Sequence, residues 1–444
     1  MTRAGGRVAG AALAAVWAAC GSTAQPHIER DDDAGPGVVI VKRTAGGVRL
    51  AEEVEPNDAA GHGQPLSPPG GVTATLASAA DVDRVAVAAD RAGWLAVAAA
   101  APEGIDLVVE LVGPGGALLA RSDRGGAGVA EGMPNYPVEP GRYEVVVREY
   151  APKRRRRKAP RTTPSPPYTL AVRWAPEPTE LFEREPNAAE RYARPVAIGG
   201  EVRGYIGWEG DKDRWLVPID GAEPDEAVDI DVDGVDGVAL QVAVSRAGSP
   251  VLQRAGAPGQ ALAIRSLALE AAGESPAPLA LALTGKRSSF DEPYALRVSI
   301  RPLPYDAEAE PNDAPAQATP LAVEPGRSAG ARRGALTPGD VDLYAVPVAD
   351  ARQQLDVAVE PASPGLDVAV ALVLADGTVL GEADAGGPGA PDKLAGAGIL
   401  PGARAFVRVQ RKPGDASAAD DVAPGYTVRW SLGAGGAIPR ALVE

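Results

Sequence analysis

One ordered set of short motifs occurs three times along the chain, and this repetition constrains the fold more than any other feature. Each set opens with the pattern E-x-E-P-N, whose first glutamates are Glu53, Glu183 and Glu308. An Asp-x-Asp pair follows, beginning at Asp81, Asp211 and Asp340. Each set closes with an alternating apolar run that starts at Tyr168, Tyr294 and Tyr426. Because 444 residues suffice for about three domains of roughly 100 to 200 residues, the repetition predicts three tandem domains.

The segments between these motifs have the pattern of β-strands. Short runs of Val, Ala, Leu and aromatic residues alternate with Gly, Pro and Asp turns, which is typical of antiparallel strands with one buried face. The 53 Gly and 43 Pro also argue against a helical protein. We therefore predict an all-β chain of three tandem antiparallel β-sandwiches, jelly-roll-like, at 51–175, 180–302 and 306–433. Residues 21–50 are expected to form a tether, of which 38–50 add an edge strand, and 434–444 a tail.

The N-terminal residues 1–20 have the pattern of an export signal. Arg3 and Arg7 precede an apolar run that ends in small residues before Cys20, and the run is too short to span a bilayer. It resembles a bacterial lipoprotein signal, in which Cys20 is diacylated and becomes the new N-terminus. The alternative is an ordinary cleaved secretory signal with an incidental cysteine. Both predict an exported protein, and the first predicts a lipoprotein of the bacterial cell envelope that is anchored to the membrane through the lipid alone.

Composition argues against two classes of function. The 44 Lys and Arg against 59 Asp and Glu give a net charge of −15, which disfavours nucleic-acid binding. The two histidines, His27 and His62, and the single cysteine leave little for zinc sites or histidine-based catalysis. We therefore predict that the protein is not an enzyme.

The ordered motifs are similar to those of the bacterial pre-peptidase C-terminal domain, a β-sandwich module. Its pattern is an E-P-N-D opening, a G-D-x-D-x-Y/F strand, a G-x-D-L strand and a closing Y-x-L strand. The resemblance covers nearly everything after the tether. It implies a module that accompanies secreted proteases or other exported enzymes, and some members bind insoluble polymers or calcium. The second repeat departs from the pattern, because Ala188 replaces the last Asp of the opening motif.

The acidic motifs are candidate calcium ligands, since calcium prefers many hard oxygen donors. If the opening motif folds back over the first long strand, the side chains converge in the first and third repeats: Glu53, Glu55, Asn57, Asp58, Asp81, Asp83, Glu308, Glu310, Asn312, Asp313, Asp340 and Asp342. The resemblance supports the same ligand set. The alternative is structural, with Asn and Asp forming turns and the Asp-x-Asp capping a strand. For the second repeat we favour the structural interpretation, because Ala188 removes a ligand.

A run of six basic residues stands out on an acidic chain: Lys153, Arg154, Arg155, Arg156, Arg157 and Lys158. It lies between a strand at 143–150 and the closing strand, so we expect it at the tip of a hairpin. It is a candidate contact for a polyanion, or a solvated loop that balances local charge. The tryptophans are better explained by core packing than by a glycan-binding platform. The exception is Trp208, whose glycine-flanked loop permits exposure.

These observations predict a non-catalytic, envelope-anchored binding or scaffolding protein whose three modules recognise an extracellular polymer or an exported protein. Modest affinities on three modules can add through avidity. One alternative is an accessory or regulatory subunit of a separately encoded secreted hydrolase. Another is a structural spacer with no ligand.

Overall fold

The computed structural model describes residues 44–45, 48–151, 160–269, 277–322, 324–412 and 422–435. In these ranges the chain is built from strands, with no α-helix and one 3-10 turn at Glu190–Tyr192. The prediction of an all-β fold of tandem sandwiches is confirmed. No helix in the described ranges has the length and apolar character needed to cross a bilayer. Cys20, the basic run and residues 436–444 lie outside the described residues.

The first sandwich pairs a sheet of order β1-β2-β4-β11-β6-β9 with a sheet of order β3-β5-β10-β7-β8, the strands being numbered along the chain. Its strands are β1 Thr44–Ala45, β2 Val48–Glu52, β3 Gln64–Leu66, β4 Gly70–Ala74, β5 Val82–Ala89, β6 Gly93–Ala100, β7 Leu107–Val112, β8 Leu118–Ser122, β9 Glu131–Val138, β10 Gly141–Glu149 and β11 Tyr168–Trp174. The strands β1 and β2 form one edge, and their residues include part of the segment expected to be a tether.

The second sandwich pairs sheets of order β12-β14-β19-β16-β17 and β13-β20-β15-β18. Its strands are β12 Arg194–Pro195, β13 Glu201–Gly204, β14 Lys212–Val217, β15 Glu226–Val232, β16 Leu240–Arg246, β17 Ser249–Ala255, β18 Leu262–Ala268, β19 Leu279–Gly285 and β20 Tyr294–Pro302. The third pairs sheets of order β21-β23-β28-β25-β26 and β22-β29-β24-β27. Its strands are β21 Thr319–Pro320, β22 Ala329–Ala335, β23 Val341–Ala345, β24 Gln353–Pro361, β25 Val368–Leu374, β26 Val379–Ala383, β27 Asp392–Ile399, β28 Ala405–Arg411 and β29 Gly425–Ala434.

The same order of nine strands recurs in each sandwich, from β3 to β11, from β12 to β20 and from β21 to β29. Each copy has a short first strand that pairs in parallel with the long strand carrying the Asp-x-Asp motif, while the other long strands pair antiparallel. Each sandwich encloses its own apolar core between the two sheets. Burial on one face explains the alternating sequence pattern of the strands.

The strands on either side of the basic run, β10 and β11, do not form a hairpin with each other, contrary to the expectation from the sequence. The strand before it, β10, pairs with β5 and β7, whereas the strand after it, β11, pairs with β4 and β6 in the opposite sheet. Strand periodicity predicts each strand but not the sheet that it joins. The sequence pattern therefore did not reveal that β10 and β11 belong to opposite sheets.

Candidate metal centres at the start of each sandwich

The opening motif of each repeat lies against the strand that carries its Asp-x-Asp pair. The Glu-Pro peptide bonds of all three motifs, at Glu55-Pro56, Glu185-Pro186 and Glu310-Pro311, are cis. The strand begins at the residue between the two aspartates in every repeat, at Val82, Lys212 and Val341. The first Asp therefore stands at the strand entrance, and the second is the second residue of the strand and is buried.

Two clusters of carboxylates result, and they share the second glutamate of the motif. The inner cluster contains both glutamates and the second Asp, namely Glu53, Glu55 and Asp83, then Glu183, Glu185 and Asp213, then Glu308, Glu310 and Asp342. The outer cluster contains the second glutamate, the last Asp of the motif and the first Asp of the pair, namely Glu55, Asp58 and Asp81, then Glu310, Asp313 and Asp340. In each of these groups one oxygen from every residue lies within 4.8 Å of the others.

In the first repeat the clusters lie where the opening motif meets β5. Glu53 accepts hydrogen bonds from Asn57 Nδ2, at 3.1 Å, and from the Thr75 backbone N–H, at 2.9 Å. Asn57 Oδ1 in turn accepts the backbone N–H of Arg84 at 3.0 Å, which fixes the motif to the strand. Asp83 is buried, whereas Glu55 is exposed. The first repeat therefore keeps its outer cluster open to solvent.

The second repeat has a complete inner cluster, which the sequence reasoning missed. Glu183, Glu185, Asn187 and Asp213 are all buried, and Asn187 Nδ2 donates to Asp213 Oδ1 at 3.0 Å. Ala188 removes a ligand from the outer cluster only, because the position it occupies does not belong to the inner one. The sequence feature that identifies this inner cluster is the second Glu of the E-x-E motif together with the second Asp of the Asp-x-Asp pair.

The third repeat differs from the others because an arginine of the preceding sandwich lies in its outer cluster. Arg254, from β17 of the second sandwich, places its guanidinium among Glu310, Asp313 and Asp340. In the inner cluster of this repeat, Glu310 is shared with the outer cluster and pairs with Arg254, whereas Glu308 and Asp342 have no arginine or lysine partner in any ion pair among the described residues. Asn312, fully buried beside it, has no hydrogen-bond partner on either side-chain atom.

The closing tyrosine of each repeat contacts the second Asp of the pair. Tyr168 donates to Asp83 Oδ2 at 2.7 Å, and Tyr426 donates to Asp342 Oδ2. Tyr294 lies beside Asp213 and accepts the indole N–H of Trp215 at 2.9 Å. The tyrosine therefore has a polar role in addition to marking the last strand, and it links the last motif of each repeat to the first two.

Burial and mutual repulsion disfavour the ionised form of these carboxylates. Burial, together with the charges of Glu53 and Asp81, raises the pKa of Asp83 to about 8. Burial and the charge of Asp211 raise the pKa of Glu185 to about 8. Burial and the neighbouring acids raise the pKa of Glu308 to about 8. A cation at the cluster relieves this repulsion, because opposite charge favours the ionised form.

The donor atoms fit a hard cation such as calcium. Buried oxygens without a hydrogen-bond partner occur in the inner cluster of every repeat, including Asp83 Oδ1, Glu185 Oε1, Asp213 Oδ2, Glu310 Oε1 and Asp342 Oδ1. Unpartnered buried oxygens are unfavourable unless an ion or water satisfies them. All donors are oxygens from carboxylates and amides, the set that calcium prefers over transition metals.

The acidic motifs of the second and third repeats also lie at the junctions between sandwiches. In the second repeat, Asn135 of the first sandwich donates to Glu183 Oε1 at 2.8 Å, and the Trp94 indole donates to the Glu185 carbonyl at 2.8 Å. In the third repeat, the Glu310 backbone exchanges hydrogen bonds with Ser266 and Ala268 of the second sandwich, both at 2.9 Å. The acidic motif is thus both the start of one sandwich and a contact of the preceding one.

Trp208 is not an exposed platform. Its ring packs against the core of the first sandwich, 5.0 Å from the ring of Tyr136 and nearly edge-on to it. Trp215 and Trp430 are buried in their own cores, as expected for core packing. The loop that carries Trp208 also contacts the first sandwich through its backbone, since the Glu209 N–H donates to the Arg121 carbonyl at 2.8 Å. Trp208 therefore contributes to the junction between the first two sandwiches.

The fold and the clusters define a chain of tandem β-sandwiches with an acidic centre at the start of each. Among solved structures, the pre-peptidase C-terminal domain of a Bacillus anthracis collagenase is 15% identical and covers 27% of this chain and 100% of that chain, with a TM-score of 0.21. Aeromonas hydrophila PliG, a periplasmic inhibitor of g-type lysozyme, is 15% identical over 26% of this chain and 96% of that chain, with a TM-score of 0.21. A triple jelly roll from an archaeal virus is 7% identical over 80% of this chain and 82% of that chain, with a TM-score of 0.18. No protein-family model and no curated protein matches the chain.

Proposed function

We propose that the chain is an exported, non-catalytic scaffold of the bacterial cell envelope, whose three sandwiches present a binding surface for an extracellular polymer or an exported protein. In this proposal Cys20 carries the lipid anchor, and calcium bound at the acidic clusters fixes each sandwich relative to the preceding one. The observation that carries the proposal is the position of the second and third motifs, which lie between sandwiches with buried carboxylate oxygens that lack partners.

Calcium would strengthen two connections of the opening motif, one within its own sandwich and one to the preceding sandwich. The inner cluster connects the opening motif to the long strand of its own sandwich, and the same motif is hydrogen-bonded to the preceding sandwich. An ion that binds only the folded arrangement stabilises it by RT ln(1 + [L]/Kd), about 2.7 kcal/mol when the free ion is at a hundred times its Kd. Calcium would therefore raise the stability of the sandwich and hold its junction.

The first experiment compares thermal unfolding of residues 21–444 in calcium and in chelator. We expect a higher melting temperature in calcium. Asp213→Asn should lose part of that rise, because Asp213 belongs to the second inner cluster, whereas the exposed Asp220 is a matched control whose Asn variant should keep all of it. Identical melting in calcium and in chelator would remove the metal from the proposal.

The second experiment addresses the partner. The same chain is immobilised and exposed to envelope extract, peptidoglycan, chitin and collagen, with calcium or chelator and at low and high salt. Retention of a polymer supports the scaffold, and retention of an exported hydrolase supports the accessory subunit instead. Loss of retention at high salt would point to the basic run 153–158, because contacts between exposed charges are screened by salt. Retention of nothing would favour a spacer.

A further inference from the structure

The outer cluster has a different composition in each repeat. In the first repeat all three carboxylates are present, and its Glu55 and Asp58 are exposed. In the second repeat Ala188 takes the place of the last acid. In the third repeat all three acids are present, and an arginine from the preceding sandwich lies among them.

Arg254 is held in the third outer cluster by almost every donor it has. Its Nη2 lies 2.5 Å from Asp340 Oδ1 and 3.4 Å from Glu310 Oε2, and its Nη1 lies 2.9 Å from Asp313 Oδ2. Its Nε donates to Thr337 Oγ1 at 3.2 Å. The Arg254 side chain is 4% exposed, so the ion pairs are shielded from solvent. The neighbouring carboxylates outweigh burial and raise the pKa of Arg254, which therefore stays charged.

The repeats themselves show that this arginine is specific to the second sandwich. The strand register places three residues at the same position of the fold by pairing Val109 with Ser122, Val242 with Arg254, and Val370 with Ala383. Ser122 turns to its own sandwich and donates to Glu131 Oε2 at 2.6 Å. Ala383, at this position of the third sandwich, has no polar side-chain group. Only the second sandwich places a positive charge at this position.

We infer that Arg254 is the resident cation of the third outer cluster, so that this cluster joins the second and third sandwiches without a bound metal ion. The inference rests on the proposed function, which makes the remaining clusters calcium sites. The guanidinium already engages oxygens of all three acids, and a divalent ion among the same oxygens would meet a like charge at contact distance. At the first junction, Arg121 and Arg124 of the first sandwich form ion pairs with Glu209 and Asp291, but among the described residues no arginine forms an ion pair with Glu183, Glu185, Asp211 or Asp213. The two junctions therefore differ in the cation of their acidic cluster, which is calcium at the first junction and the Arg254 guanidinium in the outer cluster at the second.

The first test counts bound calcium in matched variants of the whole exported chain, residues 21–444, by equilibrium dialysis. Asp58 and Asp313 occupy the same position of the motif in the first and third repeats. Asp58→Asn should bind one calcium fewer than the wild type, because the first outer cluster has no arginine. Asp313→Asn should bind the same number as the wild type. A loss of one calcium in both variants would overturn the inference.

The second test removes the arginine. Arg254→Ser carries the residue that the first sandwich has at this position, and it should bind one calcium more than the wild type. Arg254→Lys, which keeps the charge, should bind the wild-type number. Arg297→Ser is the control, because the ion-pair partners of Arg297, Glu201 and Asp233, belong to its own sandwich. An unchanged calcium count in Arg254→Ser would overturn the inference.

The same variants separate this inference from the proposed function. If the wild type binds no calcium at all, the metal part of the proposed function fails, and melting in chelator then decides the role of Arg254. Arg254→Ser should melt at a lower temperature than Arg297→Ser under those conditions, because it leaves three acids at the junction without a cation. Equal melting of the two variants would show that Arg254 does not hold the second junction.

Discussion

The hydrogen bond from Tyr168 to Asp83 gives the sharpest test of how the motifs of one repeat depend on each other. Tyr168 is fully buried and donates to Asp83 Oδ2 at 2.7 Å, and Asp83 Oδ1 has no partner. Tyr168→Phe removes the only hydroxyl donor of that carboxyl group among the described residues. Asp83 is charged above its raised pKa of about 8, so melting is measured above that pH, where a hydrogen bond to a charged group contributes about 1.5–3 kcal/mol. For a domain of this size, about 1 kcal/mol lowers the melting temperature by roughly 3–5 °C, so we expect a fall of about 5–15 °C.

Tyr143→Phe provides the matched control within the same sandwich. Tyr143 is also buried, but its hydroxyl exchanges hydrogen bonds with the backbone of Glu139, at 3.0 Å each, and no charge is involved. Neutral hydrogen bonds contribute about 0.5–1.5 kcal/mol, so this variant should lose less. The assay is calorimetric melting of residues 21–444, with hydrogen exchange used to assign the affected transition to the first sandwich. A loss in Tyr168→Phe no larger than in Tyr143→Phe would refute the reasoning.

Two further predictions concern the first sandwich. Gly132→Ala should destabilise it by about 1–3 kcal/mol, because the added methyl group would collide with the backbone carbonyl of Val97, whereas Gly126→Ala meets no atom within 4 Å and should be neutral in a urea titration. Equal effects would contradict the packing argument. Glu131 is fully buried, and burial raises its pKa, so the folded state binds its proton more tightly than the unfolded state does. The free energy of unfolding should therefore fall as pH rises above the ordinary glutamate range, and Glu131→Gln should show a shallower fall over the same range. Identical slopes would exclude this carboxyl group as the cause.

The sequence predicts the architecture because local patterns determine it. Alternating apolar residues form the strands, and the spacing of the motifs divides the chain into repeats whose strand order is the same. It also predicts the residues that come together in the first and third repeats, since the opening motif and the Asp-x-Asp pair meet in each. Whether they bind calcium stays a prediction.

The sequence does not predict what the sandwiches contribute to each other. Arg254 lies 86 residues before Asp340, and Asn135 lies 48 residues before Glu183. Neither belongs to a motif, and no periodicity links them to their partners. The role of the closing tyrosine was also missed, because a tyrosine at the start of a strand is equally well explained by strand propensity.

Comparison of the three outer clusters suggests why the repeats diverged at these positions. The first cluster has all three acids, of which Glu55 and Asp58 are exposed. The second and third clusters lie at junctions, where Glu185 and Asp211, and likewise Glu310 and Asp340, are buried. Burying like charges together is costly unless the charge is reduced or paired. Counted with all carboxyl groups ionised, each buried cluster has one net negative charge fewer than the exposed one, in the second repeat through Ala188 and in the third through Arg254. The same electrostatic demand is thus met by loss of an acid at one junction and by gain of a base at the other, and only the second solution adds a bond between sandwiches.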